Sequence, residues 1–309
     1  MQREMSKCNS FFNTMKIIQS YWSKPMRMND NTDAIFRSNG GWCKKIYFYA
    51  SWALSCLRFN DLYNHVDLYT DSYGKKLLYD TLELPYTNVS TDLDCLESFD
   101  HNLWALGKIY TYSLQTQPFL HVDSDIYVWK RFDENILSAD VIGQSLEVNY
   151  SLNIEYYNQI EKDLLYVPDA IQAEREKTKD IIQVNAGVMG GNDMSFFKGY
   201  TSEAIKMIKK NYNHLFNLHP TNKGNFNMVV EQFLAYCLYR KTNANLKTIL
   251  EGEYNLADFS NVPQYATYIH AIGTLKKFSN IGDYVIERLA FEYPDYYNRI
   301  LNLINKNMI

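Results

Sequence analysis

Long apolar runs are missing from this chain of 309 residues. No stretch approaches the roughly 18 residues that a membrane-spanning helix needs, and the first residues lack the apolar core of a secretory signal. Cysteine is scarce: Cys8, Cys43, Cys56, Cys95 and Cys237 are odd in number, far apart and never in a C-x-x-C pair. Such a set excludes a disulfide framework and a cysteine-based zinc site, and it fits reduced thiols in a cytoplasmic protein. A basic stripe is missing too. The chain carries 31 Lys and Arg against 35 Asp and Glu, a formal charge of -4, with no cluster of one sign, so nucleic acid is not an expected partner. With 13 Gly and 7 Pro in all, nothing reads as a linker, and neither a repeat nor a low-complexity tract interrupts the chain. At roughly 100 to 200 residues per domain the length allows one large domain or two small ones; the absence of a linker favours one.

What the chain has in excess is tyrosine, 26 residues. Aromatic faces stack on sugar rings and bases, but an accompanying richness in Asn, Lys and Ile also suits a biased genome composition. Read in order, residues 1–14 have no periodicity and look like an extension outside the fold, with Met15 as an internal start. Met15–Trp22 reads as a first strand, Lys44–Asn60 as a helix with apolar residues at helical spacing, and Val66–Thr70 as a second strand. A turn at Asp71–Gly74 opens a helix through Leu82, and a helix over Leu103–Gln115 leads into Pro118. Strands alternating with helices at this spacing predict an α/β fold with a mostly parallel, Rossmann-like sheet. Residues 147–180, polar with a weak apolar stripe, read as a helical insertion that covers a substrate. Ile181–Gly191 is expected as a strand ending in small residues. Helices follow over Phe196–Asn211 and Met228–Arg240, and 281–309 reads as a C-terminal helical extension.

The most informative stretch is Phe119–Val128, in which an apolar run delivers Asp123, Ser124 and Asp125 to its end. In an open α/β sheet ligands bind at the carboxyl ends of strands. Two carboxylates at that place can hold a divalent cation between protein and phosphate oxygens. An isolated pair of this kind also caps turns, so the pair alone does not decide.

Three motifs in order do more: Asp123-x-Asp125, Asn185-Ala-Gly187, and His270-x-x-Gly273-x-x-Lys276. With the lysine of Leu106-Gly-Lys108, about four helical turns before the acidic pair, this order resembles the glycogenin-like and lipopolysaccharide-galactosyltransferase-like enzymes of glycosyltransferase family 8. The resemblance covers residues 15–280 and implies a GT-A fold and transfer of a hexose from a UDP-sugar, with Mn²⁺ or Mg²⁺ as cofactor. The acceptor it implies is a saccharide or a lipid-linked saccharide reached by peripheral membrane contact, in bacterial surface polysaccharide synthesis with retention at the anomeric carbon. Residue by residue it implies Asp123, Asp125 and His270 as metal ligands. Lys108, Asp123, Ser124, Gly273 and Lys276 would lie against the donor, and Asn185, Glu231 and Gln232 around the transferred sugar. An imidazole ligand favours Mn²⁺ over Mg²⁺, and Lys276 supplies a point charge to the diphosphate.

The chain departs from the family in two places. Glu231-Gln232 stands where the family has Asp-Gln, one methylene longer, and Lys277-Phe278 replaces Pro-Trp after the third motif. By position alone, Gln19, Ser20 and Tyr21 at the end of the first strand, with Thr70, Asp71, Ser72 and Tyr73, are candidates for the base pocket, Tyr21 or Tyr73 stacking. Two other classes compete. A haloacid-dehalogenase-type phosphatase also uses Asp-x-Asp, its first Asp as nucleophile, but near the N-terminus and followed by Gly. A non-catalytic nucleotide-sugar or glycan binder could keep the fold without turnover.

Overall fold

A computed structural model of the chain describes residues 15–28, 38–149, 157–158, 162–215, 220–251, 253–254 and 267–309. The expected extension 1–14 and parts of the 147–180 segment lie outside these residues. The strands are β1 (Lys16–Tyr21), β2 (Val66–Thr70), β3 (Asn88–Ser90), β4 (Phe119–Val122), β5 (Ile126–Val128), β6 (Val141–Gly143), β7 (Leu146–Val148), β8 (Ile182–Val184), β9 (Val188–Gly191), β10 (Leu246–Thr248), β11 (Glu253–Tyr254) and β12 (Tyr268–His270).

Seven of them form the central sheet in the order β10-β6-β9-β4-β1-β2-β3. Every pairing is parallel except those of β9, which runs antiparallel to β4 and β6. The mixed, mostly parallel α/β class expected from the sequence is the one observed. A three-stranded sheet β11-β7-β8 and a β12-β5 pair flank it.

Strand alternation sorts the core. Ile17 and Leu120 face one layer, packed under the helix Lys45–Tyr63, while Ile18 and Phe119 face the other, packed under Leu106–Ser113 and Met194–Leu215. Successive side chains of a strand point to opposite faces, so a run of Ile, Val, Leu and Phe buries both sides of the sheet. Helix Lys45–Tyr63 is apolar nearly all round because it is covered both by the sheet and by the C-terminal helices Ser279–Glu292 and Pro294–Asn305. It ends at Asn64 with φ 57, the left-handed C-terminal conformation that Asn tolerates. Met194–Leu215 starts after Asp193, whose carboxylate accepts from the Ser195 and Phe196 amides. Among the described residues no helix is long and apolar enough to cross a membrane, and Cys43, Cys56, Cys95 and Cys237 are free thiols.

Three elements differ from expectation. The run Ile181–Gly191 is two strands, β8 and β9, because Asn185–Gly187 turns the chain from the small sheet into the central one. Phe119–Val128 likewise breaks into β4 and β5 at the acidic pair. The 147–180 segment opens with strand β7, and its helix Asp169–Lys177 packs on Leu234–Tyr239 rather than standing apart.

The chain leaves β1 for β2 and β3 on one side, then returns to β4 on the other. The carboxyl ends of β1 and β4 therefore border the crevice where strand order reverses, the place where open α/β sheets bind ligands.

Candidate functional site: an acidic pair at the sheet crevice

The turn after β4 holds Asp123, Ser124 and Asp125. Backbone bonds pin it from two sides: the Asp123 amide donates to the Gly187 carbonyl at 2.9 Å, and the Ala271 amide donates to the Asp125 carbonyl at 2.9 Å. The turn carbonyl of Ser124 accepts from Ser51 Oγ at 2.8 Å. Antiparallel pairing of β12 with β5, His270 opposite Ile126, brings the third motif beside the first.

Asp123, Asp125 and His270 each offer a ligand atom, and these atoms lie within 4.8 Å of one another. His270 Nδ1 is 2.6 Å from Gln144 Oε1, which also accepts from the Tyr268 hydroxyl at 2.7 Å. A carbonyl oxygen only accepts, so in the neutral ring the proton sits on Nδ1 and Nε2 turns its lone pair toward Asp125 Oδ1, 3.5 Å away. An imidazole oriented by a carbonyl behind it, facing two carboxylates, is a donor set that fits a divalent cation with some nitrogen affinity. Gly187 makes room for the ring, since a Cβ there would lie 2.7 Å from His270 Cε1 and 2.5 Å from Gln144 Oε1.

Each acid is also held by a lysine. Lys108 Nζ is 2.8 Å from Asp123 Oδ2 and 3.1 Å from Glu231 Oε1, and it donates to the Ala186 carbonyl at 3.3 Å. Lys276 Nζ is 2.5 Å from Asp125 Oδ2 and donates to the Gly40 carbonyl at 3.2 Å. Burial pushes the Asp125 carboxyl up, but nearby cationic charge, Lys276 foremost, outweighs it and holds the group well below the usual range. For Asp123 burial wins over Lys108, and the carboxyl is raised. Burial would lower the Lys108 ammonium, yet Asp123 and Glu231 together raise it.

The two lysines border a cavity of about 510 Å³ at the crevice, walled by Tyr21, Trp22, Phe48 and Trp104 and edged by Ser20 and Gly273. Gly273, at φ 45, takes the left-handed turn that carries the chain from β12 to Lys276. The base-pocket candidates read from the sequence divide here. Ser20, hydrogen-bonded to His121 Nε2 at 2.8 Å, and Tyr21 border the cavity. Gln19 does not: it is fully buried, donating to Ser55 Oγ at 2.9 Å and accepting from the Tyr86 hydroxyl at 2.8 Å. Asp71 is likewise committed, accepting from the Ser23 amide and hydroxyl at 2.8 and 2.7 Å and from the Gly74 amide at 2.8 Å. Its carboxylate ties the end of β2 to the chain after β1 and shapes the wall without lining it. Thr70 donates to the Tyr21 carbonyl, Ser72 binds Asp94, and Tyr73 is exposed with Arg27 over its ring, so none of that turn borders the cavity.

Glu147, Gln183 and Asn185 form a buried polar layer. Glu147 accepts from Asn185 Nδ2 at 2.5 Å and from Gln183 Nε2 at 2.5 Å, and Gln183 also donates to Gln232 Oε1 at 2.8 Å. Burial raises the Glu147 carboxyl. Asn185 Oδ1 accepts from the Gly187 amide at 2.9 Å, so this side chain both closes the turn and orients Glu147. Sequence reasoning missed Gln144, Glu147 and Gln183. The available signal was polarity inside apolar strands, as in Val-Ile-Gly-Gln144-Ser-Leu-Glu147 and Ile-Gln183-Val.

The model of DUF6734, described as a family of unknown function, matches residues 15–303. This chain belongs to DUF6734. Among solved structures, the glycosyltransferase GlyE of Streptococcus pneumoniae TIGR4 is similar at 9% identity and a TM-score of 0.42, over 95% of this chain and 64% of that one. The bifunctional glycosyltransferase WbbM, in its apo form, is similar at 15% identity and a TM-score of 0.44, over 94% of this chain and 52% of that one. The DUF6734 chain thus spans under two thirds of the length of either. No curated protein matches it.

Proposed function

We propose that this chain is a metal-dependent glycosyltransferase that moves a hexose from a nucleoside diphosphate sugar, a UDP-sugar, to a saccharide or lipid-linked saccharide. The observation that carries the reading is the cluster of Asp123, Asp125 and His270 at the sheet crevice, with its lysines shared with an aromatic-walled cavity. Few chemistries other than diphosphate binding need hard anionic ligands, an imidazole, two cations and stacking surfaces within one crevice. The order of the three sequence motifs supports the same reading.

Asp123, Asp125 and His270 would hold the divalent cation, Mn²⁺ in this reading, which would neutralise charge developing on the leaving diphosphate. Lys276 lies beside Asp125 on the cavity edge and turns its ammonium to the same phosphate oxygens. Tyr21, Trp22 or Trp104 stacks on the base. In this reading Asn185 and Gln232, joined through Glu147 and Gln183, are the polar layer that serves the sugar hydroxyls. Transfer proceeds with retention, by front-face attack of the acceptor hydroxyl while the leaving phosphate takes its proton. Thermal shift against UDP, GDP, CMP and UDP-sugars, with and without Mn²⁺, tests the reading. The expected result is stabilisation by uridine nucleotides that requires the metal; no nucleotide-dependent shift with Mn²⁺ present would sink it.

A further inference from the structure

Glu231 entered as the family's sugar-contacting acid with one methylene added. Its surroundings are those of a different part. The residue is 0% exposed and does not border the cavity. Neither carboxylate oxygen accepts a well-aligned hydrogen bond, and its ion pair is with Lys108 at 3.1 Å. It sits on a π-helical turn, Val229–Phe233, between the helices Pro220–Met228 and Leu234–Tyr239. A π turn inserts a residue into the helix and re-aims the side chains there. The Glu231 carbonyl accepts from the Tyr200 hydroxyl at 2.8 Å, which ties the turn to the helix Met194–Leu215.

Lys108 donates to Asp123 and to the Ala186 carbonyl, and Glu231 Oε1 lies against the same ammonium as an ion-pair partner. A buried carboxylate whose partner is a single ammonium is costly unless that ammonium stays with it. Of the two acids holding Lys108, Asp123 belongs to the acidic cluster, whereas Glu231 has Lys108 as its one ion-pair partner among the described residues. When Asp123 gives its charge to a cation, Glu231 is the acid that keeps Lys108 compensated and aimed. An aspartate at 231 would fall one methylene short of that contact.

Resting on the donor-binding reading above, we infer that Glu231 is a positioning residue: it anchors Lys108 where the acidic pair meets the donor cavity, so that the ammonium meets the diphosphate, and it does not touch the sugar. The role predicts a pattern of binding that a sugar contact does not. Titration calorimetry on the full chain with Mn²⁺ compares UDP, UDP-glucose and UDP-galactose on wild type, E231Q, K108M and the double variant. E231Q is expected to weaken UDP and the UDP-sugars by one common factor, about tenfold, the order of a lost contact between charged groups. In the K108M background it is expected to weaken neither. Loss confined to the UDP-sugars, or losses that add in the double variant, would overturn the assignment. If E231Q does not melt cooperatively, E231D answers instead: the expected result is the same common loss, and wild-type UDP affinity would overturn the assignment. A wild type that binds no uridine nucleotide with Mn²⁺ removes the donor-binding reading and this inference with it. One that binds UDP equally well with and without Glu231 removes only the inference.

Discussion

A methyl group at position 187 probes the proposed metal site without replacing any of its three candidate ligands. In Gly187→Ala the new Cβ would lie 2.5 Å from Gln144 Oε1, 2.7 Å from His270 Cε1 and 2.9 Å from His270 Nδ1. The backbone cannot yield, because the Gly187 carbonyl accepts from Asp123 and its neighbour Val188 pairs with Val122. The side chains must. Gln144 is fully buried and held by both His270 and Tyr268, so separating it from the imidazole strands buried polar groups, at about 1–3 kcal/mol. Overpacking adds about 1–3 kcal/mol. The sum, roughly 2–6 kcal/mol, is expected as a drop of several degrees in melting temperature. Loss of the carbonyl that orients His270 is expected to weaken Mn²⁺ binding about 10- to 100-fold, read by the electron paramagnetic resonance signal of the free ion. Gly199→Ala is the control: at an exposed position of the helix Met194–Leu215, with nothing within 4 Å of the added methyl, it is expected to leave metal affinity alone and to stabilise slightly. Mn²⁺ affinity of Gly187→Ala within about twofold of wild type would refute the contact argument.

Asp125→Asn should abolish stabilisation by Mn²⁺ with UDP in a thermal-shift assay, since the amide no longer neutralises the ion, and an undiminished shift would exclude Asp125 as a ligand. Gly282→Ala should cost at least about 1–3 kcal/mol in chemical denaturation, because its Cβ would lie 2.3–2.6 Å from three ring atoms of Tyr47; equal midpoints would show that the C-terminal helix shifts freely. Stability against pH tests Glu231. Burial raises its carboxyl from 4.5 to about 7 against the pull of Lys108. The folded chain therefore binds a proton there that the unfolded chain has released, and the stabilisation is complete below about pH 4.5 and lost as pH rises through about 7. The wild-type melting temperature, taken relative to E231Q, should fall across that window, and a difference independent of pH would refute the raised carboxyl and show that Lys108 fully offsets the burial.

The fold was legible where one local signal decided it. The runs Lys16–Tyr21, Val66–Thr70 and Phe119–Val122 are rich in apolar β-branched, leucine or aromatic residues, and each is a strand of the central sheet with at least one parallel neighbour. The seams were not legible. Asn185-Ala-Gly187 sits inside an apolar run, and only the two sheets on either side reveal that it is a turn. The π turn at Val229–Phe233 has no local mark at all, since its sequence is that of an ordinary buried helix.

At the site, the three motifs converge as their order implied, because β12 pairs with β5 and β9 with β4. The base-pocket candidates fared differently, for a reason alternation explains. Gln19 shares a strand face with Ile17 and Tyr21, the face covered by helix Lys45–Tyr63, so a polar residue between them had to find partners inside the core, and it found Ser55 and Tyr86. Ser20 points to the opposite face and meets His121, next to the acidic pair. Neighbours in sequence thus went to different fates because a strand has period two. Gln144 marks the opposite limit: it orients His270 from 126 positions away, a distance across which no spacing rule operates. The members of a candidate metal site can be guessed from motif order, but the groups that orient them are set by which strands pair, and pairing is a property of the folded sheet.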